Sequence, residues 1–386
     1  MVSNFLAISN RTTRRKAYVL IFAGTFSFFV GLGYGSAKRY EYIQEFSFVE
    51  PVTDVLPDFH LKPEPPAVTI KIKAVGDIVP GTNYPNNRLH SRSKTLFQGV
   101  KRLLKGADIL FGNFESTLTN YPYSPKGLGG RLIVAFRTPP SYTQILKEAG
   151  FDVMSVANNH SFDFARQGFN DTIHNLEKAN IKALGKKGQI LIAKRKGLSI
   201  AWIGFSYFNY HNCLNNLKEA KALVQKASKN ADMVVISVHA GSEGTGAMNV
   251  RNQTEYFFGE NRGNMVQFSR TMIDNGADLI LGHGPHVPRA LELYKGKLIA
   301  YSLGNFMGYR TLSAEAQLAY SLVLETELNN QGDFVSGKII PVHLTGQGIP
   351  YPDRQFRSVK LIRQLTQSNF PKTRLTIDKN GRIQPK

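Results

Sequence analysis

The hydrophobic pattern divides the chain into three stretches. A continuous apolar run covers residues 17–35, and a mixed, proline-containing stretch follows as far as residue 66. From residue 68 onward, short apolar runs of strand length alternate with longer amphipathic segments, which predicts an α/β fold with much parallel pairing. The predicted strands are 68–75, 107–112, 152–157, 181–184, 189–193, 199–206, 232–238, 278–281 and 298–302. The predicted helices lie near 95–105, 140–149, 165–179, 216–229 and 263–275.

Two predicted helix-to-strand junctions have nearly the same sequence. They are residues 105–110 (KGADIL) and 275–280 (NGADLI). In each, the glycine is expected to end the helix in a left-handed conformation, and the apolar run begins the next strand.

The pattern becomes richer in β-type residues after residue 310. Residues 316–328 and 334–344 predict a hairpin around 329–333, and the basic tail from Pro350 onward is predicted to be peripheral. The predicted organisation is a basic stub and membrane anchor (1–37), a proline-rich tether (38–66), the main domain (67–310) and an extension packed on the same domain (311–386).

The apolar run near the N-terminus predicts a membrane anchor. It is uncharged and follows a basic cluster at residues 11–16. A spanning helix needs roughly 17–25 residues, whereas the apolar part of a cleaved signal peptide has about 7–15. The basic cluster predicts a cytoplasmic N-terminus and a body on the far side of the membrane. Cleavage of a signal peptide stays open as the alternative, because residues 35–37 (GSA) are small.

Composition limits the partners. The 386 residues are 42% apolar, enough for a large core, and carry a formal net charge of +20. This charge favours a nucleic acid, an anionic membrane or an acidic polymer as partner, and general solubility explains it equally well. No nucleic-acid-binding motif is found, so nucleic acid is not expected. The single cysteine, Cys213, excludes an intramolecular disulfide.

Polar residues of the types that bind metals follow five predicted strands. They are Asp77, Asn113 with Glu115, Asn159 with His160 and Asp163, His239 with Glu243, and His283 with His286. Ligands of open α/β sheets bind at the carboxyl ends of strands, so these side chains are expected to converge. Imidazole and carboxylate together suit zinc, manganese or iron. Taken singly, Asp77 could cap a turn and Asn159 with His160 could begin a helix.

Two other chemistries are disfavoured by the sequence. It contains no G-x-S-x-G elbow of a serine hydrolase and no Walker A motif of an ATPase.

The chain resembles the bacterial capsule-synthesis family typified by CapA, the poly-γ-glutamate synthesis accessory proteins. The resemblance rests on segments that keep the family's order: 74–78 (AVGDI), 112–115 (GNFE), 157–163 (ANNHSFD), 238–243 (VHAGSE), 282–287 (GHGPHV) and 298–306 (LIAYSLGNF). That family is similar to calcineurin-type metallophosphatases. The implied fold is an α/β, metallophosphatase-like β-sandwich flanked by helices, here preceded by one N-terminal transmembrane helix.

The resemblance also implies roles for individual residues. The implied metal ligands are Asp77, Glu115, Asn159, His239, His283 and His286, with Glu115 as the candidate bridge between ions. The implied catalytic residues are His160, as general acid or orienting residue, and Asp163. The implied substrate-binding residues are Asn113, Glu243 and Asn305. Val79 stands where metallophosphatases usually carry a histidine, and Glu115 where they carry an aspartate, so one divalent ion (Mn, Zn or Fe) and two are both open.

The function implied is biosynthesis or export of an anionic capsule polymer of the poly-γ-glutamate type. The expected partners are that polymer, the bacterial cell membrane and a capsule synthase complex. In this interpretation the body lies on the extracytoplasmic side as a single-pass protein, or is secreted after signal cleavage. A metal-dependent hydrolase acting on a phosphoryl or amide-type bond is one interpretation of the site. A non-catalytic polyanion-binding assembly subunit and an exported metal-dependent phosphoesterase are the alternatives.

Overall fold

The computed structural model describes residues 68–126 and 134–386. The predicted anchor and tether lie outside the described residues. The described residues belong to one compact unit spanning 62–386. Within these ranges, none of the helices combines the length and the apolar character needed to cross a bilayer.

The described chain contains strands and helices in alternation. The strands are β1 (Ile70–Val79), β2 (Ile109–Phe114), β3 (Thr117–Leu118), β4 (Arg137–Thr138), β5 (Val153–Ser155), β6 (Lys182–Leu184), β7 (Leu191–Arg195), β8 (Leu198–Ser206), β9 (Asn212–Cys213), β10 (Met233–His239), β11 (Glu255–Phe257), β12 (Glu260–Gly263), β13 (Leu279–His283), β14 (Leu291–Tyr294), β15 (Lys297–Ala300), β16 (Asn305–Gly308), β17 (Tyr320–Leu328), β18 (Phe334–Leu344), β19 (Pro350–Pro352), β20 (Leu375–Ile377) and β21 (Arg382–Pro385). The helices are α1 (Lys101–Leu104), α2 (Thr143–Ala149), α3 (Ala165–Lys178), α4 (Leu217–Ser228), α5 (Met265–Asp274) and α6 (Arg357–Asn369). Four short 3-10 turns lie at Ser93–Thr95, Pro140–Tyr142, Thr245–Ala247 and Ala316–Ala319.

Two large sheets contain most of the strands. The first has ten strands in the order β20-β21-β18-β17-β1-β2-β5-β6, with β16 beside β1 and β19 beside β18. The second has seven strands in the order β14-β15-β13-β10-β8-β7, with β9 beside β8. Strands β1, β2, β5 and β6 run parallel to one another, as do β8, β10, β13 and β15.

The main core lies between these two sheets. Phe111 of the first sheet stacks on Trp202 of the second, with ring centroids 5.1 Å apart. A second apolar cluster joins α2 and α3 to the outer face of the first sheet, and a third joins α4 and α5 to the outer face of the second. The prediction of a mixed α/β fold is therefore confirmed, and its architecture is a sandwich of two sheets with helices on both outer faces.

Most predicted elements occur close to their expected positions, and both junction glycines are left-handed (Gly106 at φ 82°, Gly276 at φ 106°). The predicted helix at 95–105 is wrong in extent, because only Ser93–Thr95 and Lys101–Leu104 are helical. Gly99 lies between these two turns, and glycine weakens a helix interior. A β-carbon there would also approach the carbonyl oxygen of Pro350 to 3.2 Å.

The C-terminal tail is not peripheral, contrary to the prediction. Val359 and Ile362 of α6 and Ile383 of β21 belong to the core between the sheets. Strand β17 pairs with β1, so residues beyond 310 complete the same ten-stranded sheet that begins the main domain.

Candidate metal centre

The carboxyl ends of four parallel strands meet at one edge of the sandwich. Asp77 lies near the end of β1, Glu115 directly follows β2, and His239 and His283 end β10 and β13. His239 and His283 are paired neighbours in the second sheet. All four side chains are buried. The structure therefore brings together residues that are 38 to 206 positions apart in the sequence.

Asp77 lies at the centre of this group. Its Oδ1 accepts a hydrogen bond from Asn113 Nδ2 at 2.8 Å and lies 3.5 Å from His283 Nδ1. Its Oδ2 lies 3.1 Å from His286 Nδ1. Burial would raise the pKa of Asp77, but the imidazoles of His283 and His286 hold it well below the usual range. Asp77 is therefore a carboxylate at neutral pH.

Glu115, His239 and His283 are buried with unsatisfied polar atoms. Both carboxylate oxygens of Glu115 and both ring nitrogens of each histidine have no hydrogen-bond partner among the described residues. Glu115 Oε1 lies 3.7 Å from His239 Nε2 and 3.8 Å from His286 Nε2. Each unsatisfied buried polar atom costs about 1–3 kcal/mol. Six such atoms in one place indicate a site completed by a ligand from outside the chain.

A divalent cation fits these atoms. One ligand atom from each of Asp77, Glu115 and His286 can be chosen so that all three lie within 4.8 Å of one another. Carboxylate oxygens and imidazole nitrogens are ligands for zinc, manganese and iron. Burial, and then the charge of Asp77, raise the pKa of Glu115, and burial lowers the pKa of His239. A bound cation would lower the pKa of Glu115, because it favours the ionised carboxylate.

His286 is oriented from behind by an asparagine. Its backbone has a positive φ of 60°, and its Nδ1 lies 2.9 Å from Asn305 Oδ1. The Asn305 amide nitrogen donates to the carbonyl oxygens of Ser313 and Leu318, at 3.1 and 3.3 Å, which fixes the orientation of the amide. A neutral His286 that donates Nδ1–H to Asn305 therefore keeps its lone pair on Nε2, where it can bind a metal.

The asparagines predicted at this edge have different surroundings. Asn113 is buried behind Asp77, and its Oδ1 accepts a hydrogen bond from Asn158 Nδ2 at 3.1 Å. Asn159 is half-buried, and its Oδ1 has no hydrogen-bond partner within the described part of the chain. Asn159 is thus free to bind a ligand through Oδ1, while Asn113 and Asn305 support Asp77 and His286. Asn158, which the sequence analysis did not single out, holds Asn113 in place.

His160 and Asp163 form a second buried pair at the same edge. His160 Nδ1 lies 2.8 Å from Asp163 Oδ2, which also accepts the backbone N–H of Phe136 at 2.6 Å. Lys126 Nζ forms an ion pair with the other oxygen of Asp163. Burial lowers the pKa of His160 although Asp163 opposes this change, so the ring is neutral at neutral pH.

An open cleft of about 610 Å³ lies over this edge. Asn159, His160 and Glu243 line its inner end, and six aromatic residues line its walls: Phe162, Tyr207, Phe208, Tyr210, Phe257 and Phe258. Glu243 Oε2 lies 3.8 Å from His286 Nε2, and its Oε1 accepts a hydrogen bond from Arg262 Nη1 at 2.9 Å. The cleft therefore borders the candidate centre through Asn159 and Glu243.

Two cations of the cleft were not found from the sequence. Arg262 lies on β12, pairs with Glu243 and Glu260, and packs over the Tyr207 ring at 4.3 Å. Lys126 lies in a loop beside Asp163. Neither residue belongs to a motif or to a predicted strand end, so only the tertiary structure places them here.

The part of the chain that carries the candidate centre matches a known protein family. The model of the family described as "Bacterial capsule synthesis protein PGA_cap" matches residues 71–309, which include every residue of the candidate centre. The "PGA biosynthesis protein CapA" of Bacillus subtilis (strain 168) is 29% identical over 322 residues, covering 77% of this chain and 78% of that protein. The "Capsule biosynthesis protein CapA" of Bacillus anthracis is 27% identical over 276 residues, covering 64% of this chain and 62% of that protein.

Among solved structures, the 5'-nucleotidase precursor from Thermus thermophilus aligns with a TM-score of 0.39 and 14% identity, covering 78% of this chain and 59% of that one. The family match is the stronger finding, because it includes more than half of the chain and all of the strand-end residues. The chain therefore belongs to the family of bacterial capsule synthesis proteins of the PGA_cap type.

Proposed function

We propose that this protein is a metal-dependent hydrolase that acts in the biosynthesis or export of an anionic capsule polymer of the poly-γ-glutamate type. The observation that carries the metal centre is the group of unsatisfied buried atoms on Glu115, His239 and His283. The choice of polymer is supported by the family and by the names of the two Bacillus relatives.

The residues that would hold one or two divalent ions (Mn, Zn or Fe) are Asp77, Glu115, Asn159, His239, His283 and His286. When bound, such ions activate water and stabilise charge on the attacking and leaving oxygens. Asn113 and Asn305 orient Asp77 and His286 through the hydrogen bonds described above.

His160 is the candidate proton-transfer residue. Its Nδ1–H can donate to Asp163, which leaves the lone pair on Nε2 in the neutral ring. A neutral imidazole at the inner end of the cleft can take a proton from water and return it to a leaving group. Asp163 acts by holding the ring, since its own oxygens bind Phe136 N–H and Lys126.

The test combines metal content with activity. Full-length protein purified with manganese, zinc or iron is assayed for bound metal, for shortening of poly-γ-glutamate and for hydrolysis of a phosphomonoester. His160→Ala should retain metal and lose hydrolysis, whereas His174→Ala, an exposed histidine on α3, should behave as wild type. A wild-type protein that holds no metal under any of these conditions contradicts the proposal. Hydrolysis of the phosphomonoester alone would favour the phosphoesterase alternative.

A non-catalytic polyanion-binding subunit is the second candidate function. The observation in its favour is Val79, a fully buried apolar residue at the position where metallophosphatases usually carry a histidine. A strain carrying His160→Ala that makes wild-type amounts of capsule would support this candidate over the hydrolase.

The proposed location is the outer side of the bacterial cell membrane, with the apolar run at 17–35 as a single-pass anchor near a capsule synthase complex. Secretion after signal cleavage is the competing outcome. Fractionation of cells producing the full-length chain distinguishes the two, because an anchored chain stays with the membrane and keeps its N-terminal residues.

A further inference from the structure

One end of the ten-stranded sheet has a basic outer face. Along β18 and β21, Ile339 and Ile383 point into the core between the sheets, so the alternate residues Lys338 and Arg382 lie on the opposite face. Helices α2 and α3 pack on the outer face at the other end of this sheet. Lys338 and Arg382 are both exposed.

The strand register places like charges next to each other on this face. Lys338 is directly opposite Arg382 in the antiparallel pair of β18 and β21. The register of β20 and β21 continues past the strand ends, where Lys386 N donates to Arg374 O at 3.0 Å. Lys386 and Arg374 are also exposed, and none of these four cations forms an ion pair within the described ranges. Like charges placed opposite each other destabilise a sheet.

The carboxylates nearest to these cations already have other partners. Glu325 is opposite Lys338 in register, but its Oε2 lies 3.4 Å from Lys73 Nζ. Asp378 Oδ1 accepts the backbone N–H groups of Asn380 and Arg382, at 2.8 and 2.9 Å. None of the four cations forms an ion pair with these carboxylates within the described ranges, although the charge of Asp378 lies near Arg382, so four cations face two nearby carboxylates and the face keeps an excess of positive charge.

The same face continues across β17 to β1. Lys73 Nζ donates to the carbonyl oxygens of Leu103 and Lys105, which brings the exposed side chains of Arg102 and Lys105 beside β1. From β20 to β1 there are four interstrand spacings, a width of about 19 Å. A face of this width can contact several anionic groups of one extended chain.

The two basic side chains of the cleft offer little free positive charge to a polyanion. Its two cations are paired, Lys126 with Asp163 and Arg262 with Glu243 and Glu260. Apart from a bound metal ion, positive charge free to bind a polyanion therefore lies outside the cleft.

We propose that the basic face formed by Lys338, Arg382, Arg374 and Lys386 binds the carboxylate polymer, apart from the metal centre. The identity of the polymer rests on the proposed function. The binding is electrostatic, so it does not require the metal ion and it weakens as salt screens the charges.

The experiment measures binding of poly-γ-glutamate to full-length protein at several salt concentrations. The test variant is Lys338→Gln with Arg382→Gln. The matched control is Lys226→Gln with Lys229→Gln, which removes the same charge from exposed residues on and beside α4. We expect the test variant to bind at least about fivefold more weakly, with a shallower salt dependence, and the control to match the wild type. The melting temperature of the test variant should not fall, because the change removes a like-charge pair.

The same binding measurements are made with Asp77→Ala protein. Unchanged polymer binding in this variant would show that the basic face acts independently of the metal centre. Equal binding by the test and control variants would overturn the proposal. A selective loss of binding to anionic lipid vesicles or single-stranded DNA, with polymer binding intact, would also overturn it by assigning the face to another partner.

Discussion

Polar side chains lie at both ends of the parallel strands. Those at the amino ends have hydrogen-bond partners inside the chain, whereas several at the carboxyl ends have none among the described residues. At the amino ends, Asp108, Asp152, Asp232 and Asp278 each accept a backbone N–H from the start of a neighbouring strand, at 2.8, 2.9, 2.7 and 2.8 Å. Three of them also form an ion pair: Asp108 with Lys196, Asp152 with Arg195, and Asp278 with Lys297. At the carboxyl ends, Glu115, His239 and His283 are buried without such partners among the described residues.

This difference in hydrogen bonding distinguishes residues that stabilise the fold from residues that can bind a ligand. A buried polar group with its partners inside the chain contributes to folding, whereas one without partners destabilises the chain until a ligand completes it. The amino-end aspartates, of which Asp278 is buried, therefore hold the strands in register, and the buried carboxyl-end residues are available to bind an ion. Substitutions at the carboxyl end should mainly weaken metal binding, and substitutions at the amino end should mainly lower the free energy of unfolding.

The largest expected effect is loss of metal binding at the carboxyl end. Asp77→Ala should weaken metal affinity at least about 100-fold, because it removes the carboxylate that lies beside both His283 and His286. Asp278→Ala is the control at the opposite end and should leave the affinity unchanged. Titration against a chelating dye measures both, and equal affinities in the two variants would contradict the assignment.

A smaller effect is expected from the residue behind His286. Asn305→Ala should weaken metal affinity about 10–100-fold, because His286 Nδ1 loses one of two acceptors and the other, Asp77 Oδ2, is itself a candidate metal ligand. Asn305→Asp keeps an acceptor at this position and should recover part of the affinity. An alanine variant that binds metal as tightly as wild type would show that the asparagine does not orient the ring.

Stability should respond at the amino end. Asp278→Ala leaves the Val234 N–H and Lys297 without this partner, so we expect a loss of about 1–3 kcal/mol in the free energy of unfolding. In metal-free protein, Glu115→Gln should cause a smaller loss, because burial and Asp77 disfavour the Glu115 charge and offset its attraction to His286. Urea denaturation in the presence of a chelator compares the two, and a larger loss for Glu115→Gln would reverse the comparison.

Metal affinity should also depend on pH. Burial disfavours the proton on His286, but Glu115, Asp77 and Glu243 raise the pKa of this histidine to about 10 in the metal-free protein. Below that pH the ion must displace a proton, so apparent affinity should fall about tenfold for each unit by which the pH is lowered. Affinity measured from about pH 9 to about pH 6 tests this slope, and a flat profile would show that no proton is released.

The convergence of the strand-end residues could be predicted from the sequence because strand ends are local features. Asp77, Glu115, His239 and His283 each end an apolar run, and parallel strands bring such ends to one edge. Arg262 could not be found in this way, because it depends on the hairpin of β11 and β12, whose sequence has no apolar alternation. Helix α6 was missed although Val359, Ile362 and Leu365 have the spacing of an amphipathic helix. The basic charge of the tail favours a surface segment, and only the tertiary packing shows that these residues reach the core.

A crystal structure of the protein soaked with metal and solved with anomalous data decides whether the carboxyl-end edge is a metal centre. We expect one or two anomalous peaks within bonding distance of Asp77, Glu115 and His286, with nitrogen ligands from His239 and His283. Peaks only at other sites, with the Glu115 carboxylate and the two histidines still unbound, would contradict it.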